Sequence, residues 1–186
     1  MRHILFPLIL FGCLTSFGQD STQKNIKFDY EEYIKISSER YSGKQFGEFS
    51  IKTSDSTKFS NADLHNKIVF INFWFESCPP CISELEGFNK LFDTLKKNKN
   101  FVFVSFTFDP DLTIQKMINK YNIKYNVFHI DRTECYRLNF NNGFPASFIL
   151  DRIGIIKYSK FGGFTDKEKA TKAIMSEIYP KIIEQL

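Results

Sequence analysis

Histidine is scarce in this chain, three in 186 residues, and cysteine is little more common, with four. A zinc site at Cys78 and Cys81 would need further ligands, and His65, His129 and Cys135 neither pair up nor recur at finger-like spacing. Cys13, Cys78, Cys81 and Cys135 do not make the dense framework that staples small secreted domains. A bridge between Cys78 and Cys81 would close so short a loop that it would remove little unfolded-state entropy, which leaves a structural staple as the weaker use of that pair. No apolar run is long enough to span a bilayer. The formal net charge of +4 is spread along the chain with no basic tract, which argues against nucleic acid and against a polybasic membrane patch. Internal repeats and low-complexity blocks are absent too.

What is there suits one globular domain with a proper core: 42% hydrophobic and 25% charged side chains. The 22 phenylalanines set the texture of that core and say little about activity. Residues 1–18 have the layout of a secretory signal, with Arg2 and His3 ahead of an apolar stretch and small residues after it. Two processing routes compete. Leu10-Phe11-Gly12-Cys13 resembles a bacterial lipoprotein box, although Phe11 is bulky for one, and Ser16-Phe17-Gly18 before Gln19 offers ordinary cleavage. Either route takes the mature protein out of the cytoplasm. Lipidation of Cys13 would make the polar residues 19–42 a tether holding the main domain, residues 43–186, off a membrane.

Beyond the tether, strand-like and helix-like segments alternate, which predicts an α/β sandwich. Residues 48–52 and 57–60 flank a polar turn and predict a hairpin, and residues 61–64 a short helix. The run 68–75 is too uniformly apolar for a half-exposed strand and predicts a central one. A helix from Pro79 or Pro80 follows, with Leu85, Phe88, Leu91, Phe92 and Leu95 on one stripe. Residues 101–106 predict a second buried strand, 112–121 a helix, 127–130 an edge strand and 133–140 one or two helical turns. Residues 146–150 and 153–158 predict a strand pair, and 166–185 a final helix.

Cys78-Pro79-Pro80-Cys81 therefore falls where the central strand gives way to a helix, with its two thiols one turn apart. A helix N-terminus leaves its first N–H groups unpaired and carries partial positive charge, so a sulfur there is stabilised as thiolate. Dithiol–disulfide exchange is the chemistry this placement suits. Neither proline has an N–H to offer, so a Cys78 thiolate depends on the Cys81 N–H, the Cys81 thiol and the helix dipole. Moderate acidification of Cys78 follows. Two stiff residues also hold the sulfurs ready to close, which favours the disulfide and makes the reduced protein a reductant.

The stretch Asn72-Phe73-Trp74-Phe75-Glu76-Ser77-Cys78-Pro79-Pro80-Cys81, followed by Gly143-Phe144-Pro145-Ala146-Ser147-Phe148-Ile149-Leu150-Asp151, resembles the thioredoxin superfamily, and within it the extracytoplasmic TlpA/ResA-like branch. This resemblance covers residues 43–180 and implies a three-layer α/β/α sandwich with an N-terminal β-hairpin extension. By it, Cys78 attacks a partner's disulfide and Cys81 resolves the mixed disulfide. Glu84 lies on the same side of the helix as Cys81 and becomes the candidate for taking its proton; a surface glutamate near a helix start is the other reading. Asn72 stands where many thioredoxins carry a buried aspartate. Pro145 matches the family's cis-proline, with Phe144 before it on the substrate side, where the family often has threonine or valine. Trp74 is grouped with that side as well, although its place in the apolar run also suits the core. Ser77 replaces the tryptophan that often precedes the first cysteine, and residues 43–49 lack the usual proline of the entry segment.

The expected function is an extracytoplasmic thiol–disulfide oxidoreductase with no cofactor beyond the Cys78–Cys81 disulfide. It would reduce disulfides in other exported proteins, cytochrome c maturation being the setting the resemblance suggests. A membrane thiol–disulfide electron donor would re-reduce it. A peroxiredoxin-like peroxidase is the competing enzyme, but Phe75-Glu76-Ser77 lacks the threonine such sites place three residues before the cysteine. A metallochaperone or redox-inactive binding module would want a distant histidine, and none follows His129. Cys135 is either a second redox handle or a small buried side chain.

Overall fold

The computed structural model describes residues 29–53 and 57–186. The proposed signal, Cys13 and the first part of the tether lie outside them. Five strands form the central sheet: β3 (Ile68–Trp74), β4 (Phe101–Thr107), β5 (Asn126–His129), β6 (Ala146–Leu150) and β7 (Ile156–Phe161), in the order β5-β4-β3-β6-β7. β4 runs parallel to β3 and β5 parallel to β4, while β6 is antiparallel to both β3 and β7. β3 is central, and all seven of its residues are buried, the one polar residue Asn72 included, as a run this apolar requires. A small hairpin, β1 (Ser50–Lys52) with β2 (Lys58–Ser60), precedes the sheet and leads into a 3₁₀ turn at Asn61–Leu64.

Strand alternation divides the core in two. Ile68, Phe70 and Trp74 face α2 (Pro79–Leu95) and the C-terminal helical segment, and Phe103 and Tyr125 stack there with centroids 4.0 Å apart. Val69, Ile71 and Phe73 face the other layer, with Phe46, Phe106 and Phe148 and with Cys135 and Leu138 of α4 (Arg132–Leu138). α3 (Asp111–Tyr121), which follows β4, packs on the α2 side of the sheet through Met117. Each of these fully buried large side chains contributes about 1.5–3 kcal/mol, so the phenylalanine-rich core holds the sheet rigid beneath α2.

Three expectations are corrected. Residues 19–42 are not wholly a tether, because Tyr30–Glu39 form helix α1 packed along β7. The Tyr33 hydroxyl donates to the Phe161 carbonyl, and the Ser159 hydroxyl to that of Ser37. α1 and the main-chain bonds from the Gly43 N–H to the Ile156 carbonyl and from the Ile156 N–H to the Lys44 carbonyl cover what would otherwise be a bare sheet edge. β7 begins at Ile156 rather than 153, because the Asp151 carboxylate accepts from the N–H groups of Ile153 and Ile155 and holds a turn through Gly154 at φ +81°. The final helix is not uniform: α5 (Lys167–Ala173) passes through a π-helical stretch (Ile174–Ile178) into α6 (Tyr179–Ile183). Pro180 has no N–H for the Ser176 carbonyl, and the backbone widens just ahead of it.

Candidate active site

β3 ends in the turn that carries the two cysteines. Glu76 fixes that turn to the end of β4, its N–H donating to Asp109 Oδ2 at 2.6 Å and its carboxylate meeting Lys116 at 2.9 Å. Cys78 is the N-cap of α2, and its sulfur accepts from the backbone N–H of Cys81 at 3.3 Å. Pro79 and Pro80 occupy the first helical positions, where a missing N–H costs nothing. Cys78 and Cys81 are joined as a disulfide, with Cα atoms 5.2 Å apart, and are 4% and 1% exposed.

Glu84 is not on the surface. It is 2% exposed, and among the described residues its Oε2 has no hydrogen-bond partner. Burial pushes its carboxyl up to about 8, with Lys160 pulling the other way. Gly163 explains how a carboxyl fits there: a β-carbon at that position would lie 2.8 Å from Glu84 Oε1 and 3.2 Å from Pro145 Cγ. Glu84 and Pro145 thus meet over one glycine. The Ser83 hydroxyl donates to the Thr165 carbonyl at 2.6 Å and ties α2 to the same loop.

The Phe144–Pro145 peptide is cis, as the resemblance implied. Pro145 is buried, while the half-buried Phe144 ring stands edge-on to Phe75, Phe108 and Tyr136 at centroid distances of 5.3, 5.5 and 5.4 Å. The Arg132 guanidinium lies 5.0 Å from the centroid of Phe108. Trp74 is 1% exposed, in the core cluster under α2 that also holds Cys78 and Cys81, and Phe144 packs against that cluster.

Cys135 is free and fully buried in the opposite core layer, where burial and the carboxylates of Glu134 and Asp109 push its thiol up to about 12. It behaves there as a small apolar side chain. Sequence reasoning missed Lys160, Tyr125, Gly163, Phe108, Tyr136 and Arg132. Lys160 had a signal: it stands two residues after Tyr158 and so shares that residue's α2-facing side of the sheet.

The Redoxin family pattern matches residues 41–174. Among curated relatives, the thioredoxin-like protein YneN of Bacillus subtilis is 29% identical over 77% of this chain and 85% of its own. The thiol-disulfide oxidoreductase ResA of Bacillus thuringiensis is 25% identical over 75% and 80%. Among solved structures, a thiol:disulfide interchange protein of the thioredoxin family from Chlorobium tepidum superposes with a TM-score of 0.55 at 26% identity, covering 70% of this chain and 93% of that one.

Proposed function

Because the chain belongs to the Redoxin family and is a thiol-disulfide oxidoreductase of thioredoxin-like fold, we propose that Cys78 and Cys81 are its working dithiol and that it reduces disulfides in other exported proteins. The observation that carries this reading is Cys78 capping α2 with its sulfur on the Cys81 N–H, where a thiolate is stabilised.

In the reaction, the Cys78 thiolate attacks one sulfur of the partner's disulfide. The partner's second sulfur leaves with the electron pair and is protonated. Cys81 then loses its proton to the Glu84 carboxylate and attacks Cys78, forming the Cys78–Cys81 disulfide and releasing the partner's other sulfur as thiolate. Two electrons pass from the dithiol to the partner; the first partner sulfur takes its proton from solvent, and the Cys81 proton stays on Glu84 until it passes to the released thiolate or to water. A carboxyl near 8 is matched to this transfer, since it can hold or yield a proton close to neutral pH. The partner segment lies along the cis-Pro145 loop, with an apolar side chain against Phe144 and its aromatic neighbours.

The setting is extracytoplasmic, either in the periplasm or on a membrane through lipidated Cys13, with a membrane thiol–disulfide carrier supplying electrons. Maturation of c-type cytochromes is the process such a reductase would serve. Reduced protein should reduce a protein disulfide catalytically when supplied with electrons, and Cys78→Ser should abolish turnover. Full activity in Cys78→Ser would overturn the assignment.

A further inference from the structure

The sheet register lines up four polar residues on the face beneath α2. Ser105 of β4 stands opposite Asn72 of β3, Asn72 opposite Ser147 of β6, and Ser147 opposite Lys160 of β7. All four are buried, and Asn72 Nδ2 donates to Ser147 Oγ at 3.3 Å. The apolar residues of these strands on the same side, Phe70, Phe103, Ile149 and Tyr158, belong to the core layer under α2. A polar row therefore crosses an otherwise apolar face and ends in a lysine that is 3% exposed.

Above that lysine two helical elements close in. Gly87 of α2 meets the C-terminal segment so tightly that a β-carbon would lie 3.0 Å from the Thr171 Cα and 2.6 Å from Ile174 Cδ1. Glu84 is three residues before Gly87, and Glu177 three residues after Ile174. The π-helical widening at Ile174–Ile178 sets the direction of Glu177, whose Oε2 is 3.7 Å from Lys160 Nζ. A buried ammonium is costly unless paired, and here two carboxyls lie within its field. The charged and titratable groups that bear on Glu84 come from two other elements: Lys160 on β7 favours its carboxylate, and Tyr125, just before β5, feels that carboxylate in turn. The 162–165 loop adds none. Tyr125 is held neutral by burial and by Glu84.

We infer that Lys160 is a positioning residue, a buried counter-charge shared between Glu84 and Glu177, and that Glu177 sets how much of it Glu84 receives. Glu177 is the more exposed partner, its side chain 25% accessible, so solvent conditions reach the dithiol's proton acceptor through it. This inference rests on the reading of Glu84 as that acceptor, but its test does not need turnover. Lys160 acts on Glu84 directly and favours its carboxylate, and Glu177 acts through its hold on Lys160, 3.7 Å away.

The test is the carboxyl carbon NMR titration of Glu84 in the oxidised full-length protein, assigned by the signal lost in Glu84→Gln. Lys160→Met should raise the midpoint and Glu177→Gln should lower it, each by about one pH unit, and Tyr125→Phe should leave it in place. Should Lys160→Met fail to fold, the downward shift in Glu177→Gln still decides. Unmoved midpoints, or shifts of the same sign in both variants, would overturn the inference. Opposite shifts in a protein that turns over no disulfide would leave it standing and refute the proposed reaction instead.

Discussion

The backbone N–H of Cys81 points at the sulfur of Cys78 from one turn inside α2, 3.3 Å away. In the reduced protein the same donor stabilises a Cys78 thiolate, while Cys81 has neither a free N-terminal N–H nor access to solvent. Iodoacetamide should therefore modify Cys78 with a midpoint below the ordinary thiol value of about 8.5. Cys81 should react appreciably only after unfolding. Equal rates at the two cysteines would remove the helix-end argument.

Glu84 should matter to resolution more than to attack. With Glu84→Gln, closure of the Cys78–Cys81 disulfide from a preformed mixed disulfide should slow by about a hundredfold, while formation of that mixed disulfide changes little. Rapid-quench measurement of the two steps separates them.

The same carboxyl predicts how stability depends on pH. Its value rises from 4.5 to about 8 on burial in the fold, so the native state keeps a proton that the unfolded chain gives up between those values. Its contribution is full below 4.5 and is lost as pH rises towards 8, at up to about 1.4 kcal/mol per unit. Urea unfolding of the oxidised protein at pH 5 and pH 8 should show this loss in the wild type, and a smaller one in Glu84→Gln.

Gly163→Ala puts a methyl group into the space between Glu84 Oε1 and Pro145 Cγ. Overpacking there should destabilise by about 1–3 kcal/mol, and turnover should fall at temperatures where the variant is still folded. A denaturant midpoint and an activity assay on one sample check both.

Phe144→Ala opens the aromatic cluster of Phe75, Phe108 and Tyr136. KM for a protein disulfide should rise severalfold, with the rate towards a small soluble disulfide nearly unchanged. Equal losses on both substrates would mean the cluster supports the site rather than the partner.

The sheet and α2 were legible because their sequences admit few other uses. A run at 68–74 with Asn72 as its one polar residue suits a strand buried on both faces, and a Pro-Pro pair ahead of an apolar stripe suits the start of a helix. The CPPC piece of the site was legible from its place at that strand–helix junction, and Phe144-Pro145 only through the family resemblance. α1 was not, since Tyr30–Glu39 is mostly polar and is held by tertiary bonds to β7 that no local pattern announces. The burial of Glu84 was not legible either: helix spacing gives its side of α2, but the Gly163 loop that covers it arrives from the far end of the chain. Lys160 was overlooked because the strand expected from the sequence stops at residue 158; its spacing from Tyr158 gives its side of the sheet, and the register with Ser147 agrees.

The central claim is that Cys78 attacks exported disulfides and Cys81 resolves them. Its most direct test is trapping in cells that export the protein, followed by non-reducing electrophoresis. Cys81→Ser should accumulate mixed disulfides with exported proteins, all through Cys78, and Cys78→Ser should accumulate none. Equal trapping by both variants, or none by Cys81→Ser, would contradict the account.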